Sequence, residues 1–134
     1  MTLFTYECKV PKNTPKTNPA TFTLKLRRGC LYKIEIMFPP GCHGLVGVRF
    51  YYGDILLYPE NPKEWIIGSG ETISWLTTFD IIHEPAVLIL KAFNQDEMYD
   101  HTVYIRINVL PKLIAYPSLT VARLINLIRR VFGV

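Results

Sequence analysis

Four side chains that could bind a metal ion fall close together in the sequence. Asp96, Glu97, Asp100 and His101 lie within one predicted turn, so several carboxylate oxygens and an imidazole could surround a cation, and Ca²⁺ would prefer the carboxylates. Their spacing does not fit an EF-hand loop, in which ligands recur at alternate positions. The pattern therefore favours the solvated tip of a β-hairpin, and we predict no metal and no cofactor.

A second pair of residues could supply a nucleophile. Cys42 is followed directly by His43, and an imidazole can activate a thiol. Adjacent side chains in an extended segment usually point apart, however, and no third residue that would orient the imidazole can be identified. A buried structural cysteine is the favoured interpretation. Because the sequence also contains no phosphate-binding loop, GxSxG elbow or HExxH motif, we predict that the protein is not an enzyme.

The chain around these residues is dominated by the alternation of apolar and polar side chains that is typical of strands. Pro and Gly bound the alternating runs, and no helical segment separates them. About eight strands are predicted, at 4–10, 22–27, 32–38, 45–52, 55–58, 71–76, 86–93 and 102–110. This pattern predicts an all-β fold, an antiparallel β-sandwich or jelly roll, in one domain that spans residues 1–111.

Two local features of the strands can be predicted in more detail. Gly53 and Asp54 separate two alternating runs, and a tight primed turn needs positive φ at its first central residue, so we predict a β-hairpin there. In the run 32–38, the alternation places Tyr32 on the same face as Ile34 and Ile36.

Residues 118–134 show the periodicity of a basic amphipathic helix. At about 100° per residue, the apolar side chains fall within one arc and the arginines within the other. Ser118 is suited to cap the helix, and the helix macrodipole favours the cations Arg129 and Arg130 near its C-terminus. We predict that residues 112–134 form a connector and this helix, which docks on a partner through Val121, Leu124, Ile125, Ile128, Val131, Phe132, Arg123, Arg129 and Arg130.

The length of this helix and the composition of the rest of the chain limit the kinds of partner that it could bind. It is shorter than the roughly 20 apolar residues that cross a bilayer, so no transmembrane span is predicted. It could lie on a membrane surface, cover its own sheet or bind another subunit. A sandwich can close its core without a helix, which favours another protein subunit over a membrane. With no visible signal peptide and no CxxC pair among three cysteines, we expect an intracellular or virion location.

The net charge of +4 hides a segregation along the chain. Residues 1–50 carry a net charge of +6, residues 51–100 carry −7, and residues 101–134 carry +5. If these blocks form separate faces, opposite charges favour a head-to-tail or ring-shaped homo-oligomer, whereas interleaved strands would mix them. The basic residues are spread along the chain rather than clustered with aromatic residues, which argues against nucleic acid as a partner.

Aromatic residues support an alternative function, carbohydrate binding. The rings of Tyr51, Tyr52, Tyr58, Trp65 and Trp75 are close in sequence and have Asn, Asp and Glu nearby. Trp65 is the one ring that the alternation assigns to a loop, and it could stack on a sugar. The same rings could equally fill the core of a small sandwich.

One part of the chain is similar to a known class of proteins. Residues 38–75, FPPGCHGLVGVRFYYGDILLYPENPKEWIIGSGETISW, resemble small virion-associated β-sandwich proteins of tailed phages and other prokaryotic viruses. The likeness rests on the order of Pro-Pro-Gly, the Gly-Asp hairpin and the Gly-Glu-Thr strand. It implies a non-enzymatic capsid, head-completion or accessory component that works as a symmetric oligomer and clamps a neighbour with a terminal segment.

Overall fold

The computed structural model of the protein describes residues 2–111, and the predicted C-terminal helix lies outside them. The described residues form two antiparallel sheets and contain no helix. The nine strands are β1 (Thr2–Val10), β2 (Ala20–Lys25), β3 (Gly29–Phe38), β4 (Val46–Tyr52), β5 (Ile55–Tyr58), β6 (Ile66–Ile67), β7 (Glu71–Ile81), β8 (Val87–Asn94) and β9 (His101–Leu110).

The strands pair in a nested order. Sheet 1 has the order β1-β9-β3-β7, and sheet 2 has the order β2-β8-β4-β5, with β6 also paired to β4. Strand β1 therefore pairs with β9, β2 with β8, β3 with β7, and β4 with both β5 and β6. The chain folds as one long antiparallel ribbon whose successive strand pairs alternate between the two sheets.

The two sheets share one hydrophobic core. Successive side chains of a strand point to opposite faces, so one face of each sheet can be apolar. From sheet 1 the fully buried side chains include Ile34, Ile36, Phe38, Ile105 and Ile107, and from sheet 2 they include Leu24, Phe50, Leu88 and Leu90. The opposite faces carry the polar residues and form the outer surfaces of the molecule.

All eight predicted strands are present, and the predicted hairpin is confirmed. Gly53 joins β4 to β5 with a φ of 61°, the positive value that the tight turn requires. The ninth strand, β6, was not predicted because its two residues are too short to show alternation. Strand β7 extends further than predicted, to Ile81, and every second residue from Ile73 to Ile81 is at least partly buried.

The prediction that Tyr32 shares a face with Ile34 and Ile36 is wrong. The pairing of β3 with both of its neighbours shifts register between Leu31 and Lys33. This β-bulge leaves Tyr32 partly exposed, whereas Leu31 is fully buried in the core with Ile34. A bulge sets two residues against one on the partner strand, so the period of two is broken at that point.

A second, smaller apolar cluster lies on the outer face of sheet 2. Alternation places Phe93 on this face, opposite Gly47 on β4. The ring of Phe93 is nevertheless fully buried, because Trp65 packs edge-on against it with ring centroids 4.9 Å apart. A Cβ at position 47 would overlap the Cε1 and Cζ atoms of Phe93 and crowd Ile67. Only glycine lets this ring lie flat across β4.

We expect Gly47→Ala to destabilise the protein by about 1–3 kcal/mol, since overpacking of this size forces neighbouring groups to move. Urea unfolding would measure the change. Combining Gly47→Ala with Phe93→Leu should cost less than the sum of the two single changes, because the smaller side chain removes the overlap. The exposed Thr21→Ala is the control and should change stability by no more than about 0.5 kcal/mol. An unchanged midpoint for Gly47→Ala would contradict this packing.

Candidate interaction surfaces

The predicted docking helix, including its apolar stripe and three arginines, lies outside the described residues. The described chain ends at Pro111, beside a cleft of about 300 Å³ that is also lined by Arg27 and Arg28. At this end of the molecule Arg28 Nε lies 3.3 Å from Glu84 Oε1. Within residues 2–111, no helix is long and apolar enough to cross a membrane.

The surroundings of Cys42 and His43 do not resemble those of a catalytic thiol. Cys42 is fully buried, and this desolvation raises the pKa of its thiol. His43 is exposed, and its backbone N–H donates to Ser69 Oγ at 3.0 Å. Burial also raises the pKa of Cys8 and of Cys30 to about 11. All three cysteines are therefore buried thiols that stay protonated at neutral pH.

The acidic turn folds around Asp96. Its Oδ1 accepts hydrogen bonds from the backbone N–H groups of Met98 at 2.8 Å and Tyr99 at 3.2 Å, and its Oδ2 lies 2.8 Å from His101 Nε2. These hydrogen bonds hold the pKa of Asp96 below its ordinary value. The bond from the Met98 N–H has the largest effect, and the bond with His101 has the next largest. The protein's own donors thus occupy this carboxylate. Among residues 2–111, no group of three or more His, Cys, Asp or Glu side chains is placed to hold a metal ion.

The prediction of a hairpin tip at this turn is wrong, because β8 and β9 lie in different sheets. The turn instead forms a corner between the sheets, organised by the buried Asn94. Asn94 Nδ2 donates to Val10 O at 3.1 Å and Tyr99 O at 3.0 Å, and its Oδ1 accepts from Asp96 N at 3.0 Å. Its backbone exchanges two hydrogen bonds with Thr14. We call this network the polar corner; it joins β1, the 11–19 loop, β8 and the turn.

We expect Asp96→Asn to lower the melting temperature at neutral pH, because it removes the charge that the polar corner stabilises. A carboxyl group whose pKa is lowered by folding stabilises the native state above its unfolded pKa, about 3.9, and this contribution is lost as pH falls through the lower folded value. The difference in melting temperature between the unmodified protein and the variant should therefore shrink below about pH 4. Thermal melts from pH 7 to pH 3 would show it.

Glu97→Gln is the matched control for that series, since it removes the same charge from the same turn at an exposed residue. Its effect should be small at every pH. If Glu97→Gln and Asp96→Asn lower the melting temperature equally, general repulsion among the acidic residues, and not the bonds of Asp96, would explain the result.

The structure places Trp65 in a loop, as predicted, but one face of its ring is covered. The guanidinium of Arg49 lies over this face, with Cζ 4.1 Å from the ring centroid, while Arg49 Nε donates to Glu64 O at 2.7 Å. The edge-on contact with Phe93 covers a further part of the indole. A sugar could stack on this face only by displacing the arginine.

Three of the other aromatic residues pack between the sheets. Trp75 lies edge-on to Phe50 and to Tyr58, with centroid distances of 6.0 and 5.2 Å, and Tyr52 lies edge-on to Phe79 at 5.3 Å. They act largely as core, the use that aromatic rings commonly have in a sandwich. Trp75 and Tyr58 also line an apolar cleft of about 230 Å³.

Strand β7 is a long edge that no other described strand covers. It ends sheet 1 and spans 11 residues, with a bulge where it faces the irregular part of β3. Between Glu71 and Asp80 it contains neither a charged residue nor a proline, and Leu76 at its centre is 67% exposed. Natural edge strands are usually protected by lysines, prolines or short length, because their free N–H and C=O groups can pair with another chain.

The three charge blocks of the sequence mix in the fold. Lys9 Nζ lies 3.6 Å from Asp100 Oδ2. This ion pair and the pair of Arg28 with Glu84 each join a residue of the first block to a residue of the second. Glu35 Oε1 lies 3.0 Å from Lys33 Nζ, and Glu35 Oε2 lies 3.2 Å from Arg106 Nη1, a residue of the last block. Both cations hold the pKa of Glu35 below its ordinary value, and Lys33 has the larger effect. The blocks therefore supply no argument for head-to-tail assembly.

No protein-family model, curated protein or solved structure matches this chain. The resemblance of residues 38–75 to phage virion proteins thus stays a hypothesis.

Proposed function

We propose that this protein is a non-enzymatic structural subunit with a jelly-roll fold, a component of a virus particle that self-associates. The nested strand pairing carries this proposal. Wrapping one antiparallel ribbon so that its strand pairs alternate between two sheets generates a jelly roll, an architecture common in viral capsid and lectin domains. A fold can host many functions, so the support for an assembly role comes from the surface of this chain.

The open edge of β7 supports self-association through a two-fold axis. A symmetric dimer uses the same surface on both copies. If β7 pairs antiparallel with β7 of a second copy, the two four-stranded sheets become one continuous sheet. Leu76 is the central residue of Glu71–Ile81, so pairing about the strand centre sets it opposite the same residue of the second copy. Two exposed leucines would then cover each other across the axis.

The C-terminal helix is the second contact in this proposal. Its apolar stripe needs a surface to cover it, and the sheets already bury a shared core. A helix that docks on a neighbouring subunit would extend β7 dimers into a larger assembly, as the resemblance to virion proteins implies.

We expect Leu76→Lys to convert a dimer into a monomer of 15.5 kDa, because it would set two like charges directly opposite each other across the β7 pair. Light scattering coupled to size exclusion, over a range of protein concentrations, would measure the mass. Leu3→Lys is the matched control: it lies on the other edge strand of sheet 1, in the same row of paired residues, and is 57% exposed. The control should keep the dimer. A monomeric unmodified protein, or equal loss with both variants, would contradict the β7 interface.

For the helix, we expect Ile128→Glu to reduce any assembly larger than the dimer while leaving the melting temperature of the subunit unchanged. A carboxylate in the centre of the apolar stripe cannot be buried against a neighbour without a large desolvation cost. Asn126→Glu, on the polar side of the helix, is the control with the same added charge and should assemble normally. If Ile128→Glu lowers the melting temperature and leaves the mass unchanged, the helix covers its own sheet instead.

A further inference from the structure

The outer face of sheet 2 gathers cations from three parts of the chain. Strand positions on this face belong to Thr21, Thr23 and Lys25 on β2, to Val87, Ile89, Lys91 and Phe93 on β8, and to Gly47, Arg49 and Tyr51 on β4. None of these positions holds Asp or Glu. Lys16, from the loop before β2, adds a fourth cation above the ring of Phe93.

Two of these cations are direct cross-strand neighbours. Arg49 on β4 pairs in register with Lys91 on β8, and like charges in this arrangement are destabilising unless something neutralises them. On the other sheet, Lys33 and Arg106 share the carboxylate of Glu35. Within residues 2–111, Arg49, Lys91, Lys25 and Lys16 form no ion pair with a carboxylate. The described residues therefore leave this face with a surplus of positive charge.

Aromatic rings alternate with these cations. Lys16 Nζ lies 4.8 Å from the centroid of Phe93, Arg49 Cζ lies 4.1 Å from that of Trp65, and Lys91 Nζ lies 4.8 Å from that of Tyr51. The face is therefore a strip in which rows of positive charge and flat rings follow one another along the strands. Tyr51 and Trp65 both keep partial solvent exposure.

We infer that the outer face of sheet 2 binds single-stranded nucleic acid. Lys25 and Lys16 contact phosphates, while Arg49 and Lys91 leave the ring faces of Trp65 and Tyr51 for phosphates and bases stack on those rings. Proteins that bind single strands without sequence preference combine a positive track with aromatic side chains on which bases stack. An acidic protein segment would use the cations but would have no need of the rings. A duplex has its bases stacked inside, and a flat sheet face offers no element that enters a groove.

The dimensions of the strip suit several nucleotides. Side chains on one face of a strand recur about every 7 Å, so the four rows from Phe93 to Val87 span roughly 20 Å. A stacked strand places a phosphate about every 3.4 Å, and an extended strand spreads them further apart. The four cations can therefore meet separate phosphates of one strand. This inference goes beyond self-association, since the strip lies on the sheet that does not contain β7.

Fluorescence anisotropy with a labelled 20-nucleotide oligothymidylate would test the inference on the full chain. We expect binding in about 50 mM salt that weakens as salt is raised, with each neutralised phosphate adding about 0.7 to the slope of log K against log salt. The double variant Arg49→Gln with Lys91→Gln should bind at least about tenfold more weakly, and its slope should fall by about 1.4. Tyr51→Ala should weaken binding at least about fivefold, whereas Tyr51→Phe should not.

The matched control is Lys33→Gln with Arg106→Gln, which removes the same net charge from the outer face of sheet 1. It should bind like the unmodified protein, and thermal melts would confirm that every variant is folded. Absence of binding by the unmodified protein, or equal loss in the two double variants, would overturn the inference. A third outcome would also overturn it: polyglutamate displaces the labelled oligonucleotide with the same potency as unlabelled oligothymidylate, and Tyr51→Ala has no effect on binding. The strip would then be a docking site for an acidic protein. The Leu76→Lys variant should bind normally whether or not β7 forms a dimer, so the two proposals can fail separately.

Discussion

The nested antiparallel pairing of strands from opposite ends of the chain is the constraint on which the rest of the structure depends. Strand β1 pairs with β9, β2 with β8 and β3 with β7, and these successive pairs lie in alternate sheets. Most of these pairings join residues that are distant in sequence, so the loop entropy of bringing them together must be offset by the shared core. The polar corner lies where this closure occurs, and Asn94 bonds there to Val10 at the end of β1.

The same topology decides which surfaces are free. The two edge strands of sheet 1, β1 and β7, differ in how their sequences discourage further pairing. Strand β1 carries Glu7 and Lys9 with exposed side chains, while the middle of β7 is uncharged and exposes Leu76. Edge strands that lack charge and proline are open to another chain. The proposed dimer follows from this difference between the two edge strands of sheet 1. On the outer face of the same sheet, Glu35 forms ion pairs with Lys33 and Arg106 within the subunit.

The two outer faces show how the fold redistributes charge. The sequence has basic and acidic blocks, but ion pairs join residues of different blocks at the ends of the sandwich and across sheet 1. Sheet 2 receives cations from the 11–19 loop, β2, β4 and β8, and no carboxylate at its strand positions. The surplus of positive charge on this face is therefore a consequence of strand register. The same face carries the small apolar cluster in which Trp65 and Phe93 pack over Gly47.

The sequence by itself determined the all-β class, the positions of eight strands and the hairpin at Gly53, because alternation and turn chemistry are local properties. It could not reveal the bulge at Tyr32, since a bulge is defined by the partner strand, nor the two-residue β6, which is too short to show a period. Tertiary structure alone decided that the acidic turn is a corner between sheets, that Arg49 covers Trp65, and that Arg49 meets Lys91. Each of these depends on cross-strand register, which joins residues tens of positions apart and leaves no mark in the local pattern of either strand.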